Sequence, residues 1–307
     1  MKNSKILVLG VTASGKGKLA FELARDFGGE IISVDSMKIY KRMDIGTAKP
    51  GKEFRDIINH HLIDVVEPSQ PFDVARFMEL STAAAEDIQS RNKPVISVGG
   101  TALYIKAMLY GLFEGPGTDE SIRNQLKQQA LTDGMQKLYE QLQKADPAAA
   151  ERIHPNDKKR IIRALEVYKL TGKPISHFQQ QFDCEPVSDW KIIGLRRDKQ
   201  QESSRINQRV KRMIEQGLVD EVKGLLAEDK PLSKQALCAI GYAEIIDHLQ
   251  GKMSLEDAIE KIKINTRYFA KHQRTWFKTF KNVNWIDIKP DQSLAEIVAE
   301  AKTILTL

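Results

Sequence analysis

The sequence predicts an α/β fold: a parallel sheet flanked by helices, with a helical insertion domain. Three observations predict it. Short apolar runs alternate with helical patterns in the first third of the chain, a long middle stretch lacks such runs, and the runs return after it. Strands that alternate with helices form parallel sheets covered on both faces. Taken in order, residues 6–9 are the first apolar run, ending at Gly10, and residues 16–26 carry a helical pattern. Residues 31–34, 62–66 and 94–98 are the second, third and fourth runs. Residues 118–190 are rich in Gln, Lys and Arg and are broken by Gly134, Pro147, Pro155, Gly172 and Pro174, so they read as short helices. Residues 191–195 form a strand that rejoins the first sheet, and residues 285–288 form a late strand among helices. One core domain, residues 1–117 and 191–307, therefore carries an excursion, residues 118–190.

A chain of 307 residues with 41% hydrophobic and 29% charged residues is ordinary for a globular protein with a substantial core. Its net charge of +6 suits a polyanionic partner. The two cysteines, Cys184 and Cys238, can build neither a disulfide framework nor a Cys-rich zinc site, which fits a reducing cytoplasm. Residues 6–9 are too short a run for a signal peptide, and no stretch approaches the roughly 20 apolar residues of a membrane span. The expectation is a cytoplasmic protein without a membrane partner.

Gly10, Val11, Thr12, Ala13, Ser14, Gly15, Lys16 and Gly17 fit G-x-x-x-x-G-K between a predicted strand and a predicted helix, the context that motif requires. Glycines let backbone N–H groups curl around phosphate oxygens, the helix N-terminus adds a positive end and Lys16 a full charge. The predicted sheet is therefore of the P-loop type. One departure matters: Gly17 stands where a Ser or Thr hydroxyl commonly meets Mg²⁺. The fourth run also ends Val98-Gly99-Gly100-Thr101, without the acid that closes a Walker-B strand. A nucleoside or nucleotide kinase would want both groups, so the loop is read as a diphosphate holder.

Asp35 and Ser36 follow the second run, at the sheet edge where open parallel sheets carry their ligand crevice. An Asp there accepts a proton or hydrogen bond from an amine, or it caps a helix; position alone leaves both readings open. His60 and His61 read as hydrogen-bonding histidines at a strand edge rather than as acids or ligands.

The motifs run on in a fixed order. After Gly10-x-Thr12-Ala13-Ser14-Gly15-Lys16 come Ser33-x-Asp35-Ser36-x-x-x-Tyr40 and Met43-Asp44-Ile45-Gly46-Thr47-Ala48-Lys49-Pro50. His60-His61-Leu62-x-Asp64, Val98-Gly99-Gly100-Thr101-x-Leu103-Tyr104 and His154-Pro155-Asn156-Asp157-x-x-Arg160-x-x-Arg163-Ala164-Leu165-Glu166 follow. Gly241-Tyr242-x-Glu244 and Ala270-Lys271-x-Gln273-x-Thr275-Trp276 complete the series. The ordered set resembles the tRNA dimethylallyltransferases, or tRNA isopentenyltransferases, over nearly the whole chain, and in the bacterial form.

That resemblance implies transfer of dimethylallyl from its diphosphate to N6 of the adenosine just 3′ of the anticodon, the base being flipped out to reach the enzyme. It implies that Asp35 is base or acceptor for the amine, that Thr101 lies near it, and that Lys16 and Arg205 act on the leaving diphosphate held by residues 10–17. It implies tRNA contacts from Asp35, Ser36, Met37, Lys38, Thr101, Arg123, Lys159, Arg160, Ile161, Ile162 and Arg163. Mg²⁺ is expected, its ligands unassigned; with Gly17 in place, it would be held mainly by diphosphate and water, with Ser14, Ser36 or Asp35 to help. The protein is expected to act as a monomer.

The chemistry agrees with this inventory. Allylic C–O cleavage develops negative charge on the diphosphate, so cations belong there, and placing a weakly nucleophilic amine against the allylic carbon supplies much of the rate. The tail adds a basic face: Arg267, Lys271, Arg274, Lys278 and Lys281 fall on one side of a helix, with Ile262, Phe269, Trp276 and Phe280 opposite. Lys158, Lys159, Arg160 and Arg163 form a second cluster. One-sided charge favours phosphate contact and favours tRNA over a free nucleotide as acceptor. A catalytically weakened tRNA-binding relative remains an alternative because of Gly17.

Overall fold

The computed structural model describes residues 3–112, 115–179 and 189–306. The chain divides into two compact units, Met1–Leu109 with Ser188–Leu307, and Tyr110–Val187.

The first unit is built on a parallel sheet. Its strands are β1 (Lys5–Gly10), β2 (Glu30–Val34), β3 (His60–His61), β4 (Val95–Gly99), β5 (Lys191–Arg196) and β6 (Val283–Asp287), in the order β3-β2-β4-β1-β5-β6. β1 lies between β4 and β5, so the strand after the excursion does return to the first sheet. Ile6, Leu7, Val8 and Leu9 are all fully buried, as the unbroken apolar run of a strand covered on both faces requires. Helix Lys16–Phe27 lays Leu19, Ala20, Leu23 and Ala24 on one face, and helix Leu294–Thr306 adds Ile297, Val298, Ala301 and Leu305 to the same core.

The third strand differs from the expected one. It is the two-residue His60–His61 beside β2, and the run at 62–66 is not extended, because Leu62 and Asp64 adopt left-handed backbone with φ of 60° and 57°. Val66 instead makes an isolated parallel bridge to Tyr40, outside the named strands.

Register sets the position of the site. Leu9 and Val34 both lie opposite Gly99, and Gly10 opposite Leu195, so β1, β2, β4 and β5 end at one level. A Cβ on Gly99 would stand 1.9 Å from the Val34 carbonyl oxygen, so only glycine lets β4 end there. The chain leaves β1 toward β2 and leaves β4 toward β5 on the opposite side, which makes the β1–β4 edge a topological switch point.

Two long helices, Lys199–Glu215 and Leu255–Phe277, complete this unit's site. The second buries Ala258, Ile262, Ala270, Gln273 and Phe277. Phe269, expected on that face, is exposed: it falls one residue short of the stripe that passes through Ala270. Trp276 is half-buried with Lys106 over its ring, and Phe280 is buried beyond the helix end.

The second unit is helical, with Glu120–Thr132, Met135–Ala145, Pro147–Arg152, Lys158–Thr171 and Ile175–Phe178 around Leu126, Leu138, Leu142, Ile161 and Leu165. Asp119, Asp146 and Asp157 cap three of these helices. Ile161 and Ile162, expected among the tRNA contacts, put their side chains in this core at 0% and 6% exposure. The helix needs an apolar stripe there, which leaves Lys159 and Arg160 exposed on its other side. Glu166 is fully buried and pairs with Arg123 at 3.0 Å and Arg163 at 2.7 Å, and it accepts the Asp119 N–H at 2.7 Å.

Candidate active site

The phosphate loop joins β1 to helix Lys16–Phe27. Gly15, at φ 103°, starts the helix in a conformation natural only to glycine, and Ala13 holds φ 62° despite its Cβ. Such a residue costs about 1–3 kcal/mol and persists only where its surroundings hold it. Here they do. Arg205 Nε donates to Ala13 O at 2.7 Å, Arg197 Nε to Ser14 O at 3.0 Å, and Arg209 Nη1 to Thr12 Oγ1 at 3.2 Å. Arg209 Nη2 also reaches Thr47 O at 3.3 Å, within the Met43-to-Pro50 motif. Gln273 Oε1 accepts the Thr12 N–H at 2.8 Å.

Inside the crevice, Lys16 Nζ donates to Val11 O at 3.1 Å. Burial, aided by the neighbouring charges of Lys38 and Arg209 and opposed by Asp35, holds this ammonium down to about 7. Burial likewise holds Lys38 and Arg209 below their ordinary values, with Asp35 again opposing. Three cations facing one carboxylate make a surplus of positive charge suited to a diphosphate.

Asp35 follows β2 and caps a turn, not a helix: its Oδ1 accepts the N–H groups of Met37 at 2.9 Å and Lys38 at 3.3 Å. Both of these bonds use one oxygen. Thr101, after β4, accepts the Ser36 N–H at 3.0 Å and donates to Ser36 Oγ at 3.4 Å. The sheet edge thus brings together Lys16, Asp35, Ser36, Lys38, Thr101 and Arg205 from four separate stretches of chain. Asp35 has both features open to it from sequence, a capping oxygen and a second carboxylate oxygen outside those bonds.

His60 Nδ1 pairs with Ile58 O at 2.7 Å and His61 Nε2 with the buried Glu30 at 2.8 Å, both structural roles. Of the charged residues expected on tRNA in the helical unit, Arg123 and Arg163 are committed to Glu166, while Arg160 makes an exposed pair with Asp157 at 3.2 Å.

Mg²⁺ bound with a diphosphate needs few protein ligands, and Gly17 supplies none. Among the described residues no cluster of three His, Cys, Asp or Glu side chains could hold a metal. Ser14 Oγ is fully buried and takes the Lys16 N–H at 3.4 Å. Gly17 brings no donor, and a Cβ there would meet nothing within 4 Å.

Sequence reading missed Arg197 and Arg209 and gave Gln273 no role. Signals for the first two existed: Arg197 directly follows β5 at the ligand edge, and Arg209 stands one helical turn beyond Arg205, on the same face. Gln273 had only its place in a motif.

The chain's similarities accord with this geometry. Residues 38–280 match the family model described as IPP transferase. The chain is 47% identical over 288 residues to the tRNA dimethylallyltransferase of Geobacter metallireducens, covering 93% of each chain. It is 47% identical over 299 residues to that of a Thermoanaerobacter species, covering 95% of this chain and 94% of the relative. Among solved structures it resembles a full-length tRNA isopentenylpyrophosphate transferase from Bacillus halodurans, with TM-score 0.71, 40% identity and coverage of 99% and 97%. It also resembles a eukaryotic dimethylallyltransferase described as acting on tRNA, with TM-score 0.82, 28% identity and coverage of 99% and 80%.

Proposed function

The chain belongs to the tRNA dimethylallyltransferase family, and from that premise we propose that it transfers dimethylallyl from dimethylallyl diphosphate to N6 of the adenosine immediately 3′ of the anticodon. One observation carries the reading: a phosphate loop with surplus positive charge and a carboxylate with one uncommitted oxygen face one crevice at the β1–β4 switch point.

The adenine amine attacks the allylic carbon, a C–N bond forms as the C–O bond breaks, and the diphosphate leaves with the electron pair. Asp35 takes the proton that the amine loses as its bond forms. Lys16 and the loop amides receive the charge growing on the diphosphate. Arg205 and Arg197 stand at the loop's mouth, each with Nη2 3.9 Å from where a Gly15 Cβ would be. Thr101 holds the Asp35 turn beside the acceptor. Asp35, Ser36, Met37 and Lys38 line the tRNA side, with Lys159 and Arg160 on the second unit as phosphate contacts. Mg²⁺, when bound, would be held mainly by the diphosphate and water and would offset charge on the leaving group. The protein is assigned to the cytoplasm as a monomer.

A kinase reading is not favoured, since Gly17 brings no hydroxyl and β4 ends at Gly99, followed by Gly100-Thr101, without an acid. The test is incubation with labelled dimethylallyl diphosphate and unmodified tRNA, then nucleoside analysis. Prenylated adenosine is expected; phosphoryl transfer from ATP to a nucleoside, without prenylated product, would overturn the reading.

A further inference from the structure

We propose that Gln273 is a positioning residue for the group transfer, holding the phosphate loop and the Gly-Gly-Thr loop at a set separation; the proposal rests on the reaction given above. The paired backbone of β1 and β4 ends at Leu9 and Gly99. Beyond that level the carboxamide of Gln273 supplies one further rung: Oε1 accepts the Thr12 N–H at 2.8 Å and Nε2 donates to Gly100 O at 2.8 Å. The side chain is 4% exposed, on a helix more than 160 residues along the chain from either loop.

Each end of the rung leads to one substrate. Thr12 belongs to the diphosphate side and takes Arg209 on its hydroxyl. Gly100 precedes Thr101, which fixes Ser36 beside Asp35 on the acceptor side. The separation of the two loops is therefore the separation of allyl donor and amine, the quantity on which a positioned reaction depends most steeply. The amide is itself held in place. Its helix is tied to Lys199–Glu215 by an Arg274–Glu202 ion pair and by Arg267 Nη1 donating to Asn207 Oδ1 at 2.9 Å. Gly100 completes the fit, since a Cβ there would stand 2.3 Å from Nε2.

The role demands an acceptor and a donor in one planar head, which the carboxamide supplies. Gln273→Met keeps the volume and removes both bonds. Gln273→Glu keeps the acceptor, and its carboxyl supplies the donor only while protonated. The experiment measures single-turnover prenyl transfer at saturating substrates, tRNA affinity and inorganic diphosphate affinity for the full chain and both variants. For Gln273→Met the expected results are transfer slowed by about tenfold or more, the scale of losing buried hydrogen bonds, diphosphate affinity lowered several-fold and tRNA affinity within twofold of wild type. For Gln273→Glu, the rate relative to wild type should fall as pH rises and the introduced carboxyl ionises, a pH profile that a space-filling role would not produce. Transfer by Gln273→Met within twofold of wild type overturns the proposal, as does a pH-independent ratio for Gln273→Glu, or a loss traced wholly to weaker tRNA binding. Should Gln273→Met fail to fold, the Gln273→Glu ratio decides. Inorganic diphosphate binding reads the loop without any prenyl transfer. A wild type that made no prenylated product would thus overturn the proposed reaction, while unchanged diphosphate affinity in both variants would overturn this role.

Discussion

Thr101 Oγ1 accepts the backbone N–H of Ser36 at 3.0 Å, so the loop after β4 holds the turn that carries Asp35. Within that turn Asp35 Oδ1 takes the Met37 and Lys38 N–H groups. Its structural and chemical duties can be separated, because an Asn side chain can cap the same turn but cannot accept the amine proton. Asp35→Asn should lower kcat by about 10² or more, the scale for a positioned acid–base group, with tRNA affinity and thermal midpoint near wild type. Asp35→Ala should lose the same activity and some stability as well. Near-normal turnover in both variants would leave Asp35 a turn cap.

Lys16 titrates close to neutrality because burial, aided by Lys38 and Arg209, holds its ammonium down to about 7. A bound diphosphate favours the charged form. Below pH 7 the ammonium is present and binding is strongest; as pH rises above 7 the site must take up a proton to bind, and affinity falls. Calorimetry in buffers of different ionisation enthalpy should detect that uptake between pH 7 and the ordinary lysine range. Lys16→Arg, charged throughout, should abolish the part of it due to this residue. Stability moves the other way: the folded chain holds fewer protons here than the unfolded chain over the same window, so this group's contribution rises with pH.

Arg160 and Arg163 sit one turn apart on the helix Lys158–Thr171 and should give opposite phenotypes. Arg163 neutralises the buried Glu166, so Arg163→Ala leaves a buried charge short of a partner. That should destabilise by up to about 3 kcal/mol, less than a fully buried pair because Arg163 is itself partly exposed, and lower the thermal midpoint. Arg160, in an exposed pair with Asp157, contributes little to stability. Arg160→Ala should leave the midpoint unchanged, weaken tRNA binding and reduce the salt dependence of that binding by about one phosphate contact. Equal effects of the two variants on tRNA affinity, with no change in midpoint, would contradict this division.

Gly17→Thr should be tolerated, since a Cβ at that position meets nothing within 4 Å and the backbone is not left-handed. The added hydroxyl stands where related loops present one to Mg²⁺. The Mg²⁺ concentration for half-maximal rate should fall in the variant, measured by titrating the metal at fixed diphosphate donor. An unchanged Mg²⁺ dependence would remove the hydroxyl from consideration as a ligand.

The parts of the fold that were legible in sequence are those whose signals are local. The apolar run of β1, the glycines after it and the helix from Lys16 are contiguous, and the return of β5 followed from another unbroken apolar run. Residues 62–66 misled because apolar composition does not reveal the left-handed turns at Leu62 and Asp64. Ile161 and Ile162 entered the tRNA set as members of a motif, although helical periodicity sends their side chains to the core. The grips of Arg197, Arg209 and Gln273 on the phosphate loop join residues more than 180 positions apart, and no local pattern encodes such pairings.

The central position of β1 has a consequence for biosynthesis. The strand is made first, yet its two neighbours, β4 and β5, emerge much later, and the whole helical unit is translated between them. For an interval on the order of ten seconds at ordinary translation rates, one edge of a strand apolar from Ile6 to Leu9 has no partner. Arg197, Arg205 and Arg209, which restrain the strained Ala13, leave the ribosome later still. A nascent chain halted before Lys191 therefore presents an open sheet edge, prone to pairing with other chains, and a phosphate loop without its arginine restraints.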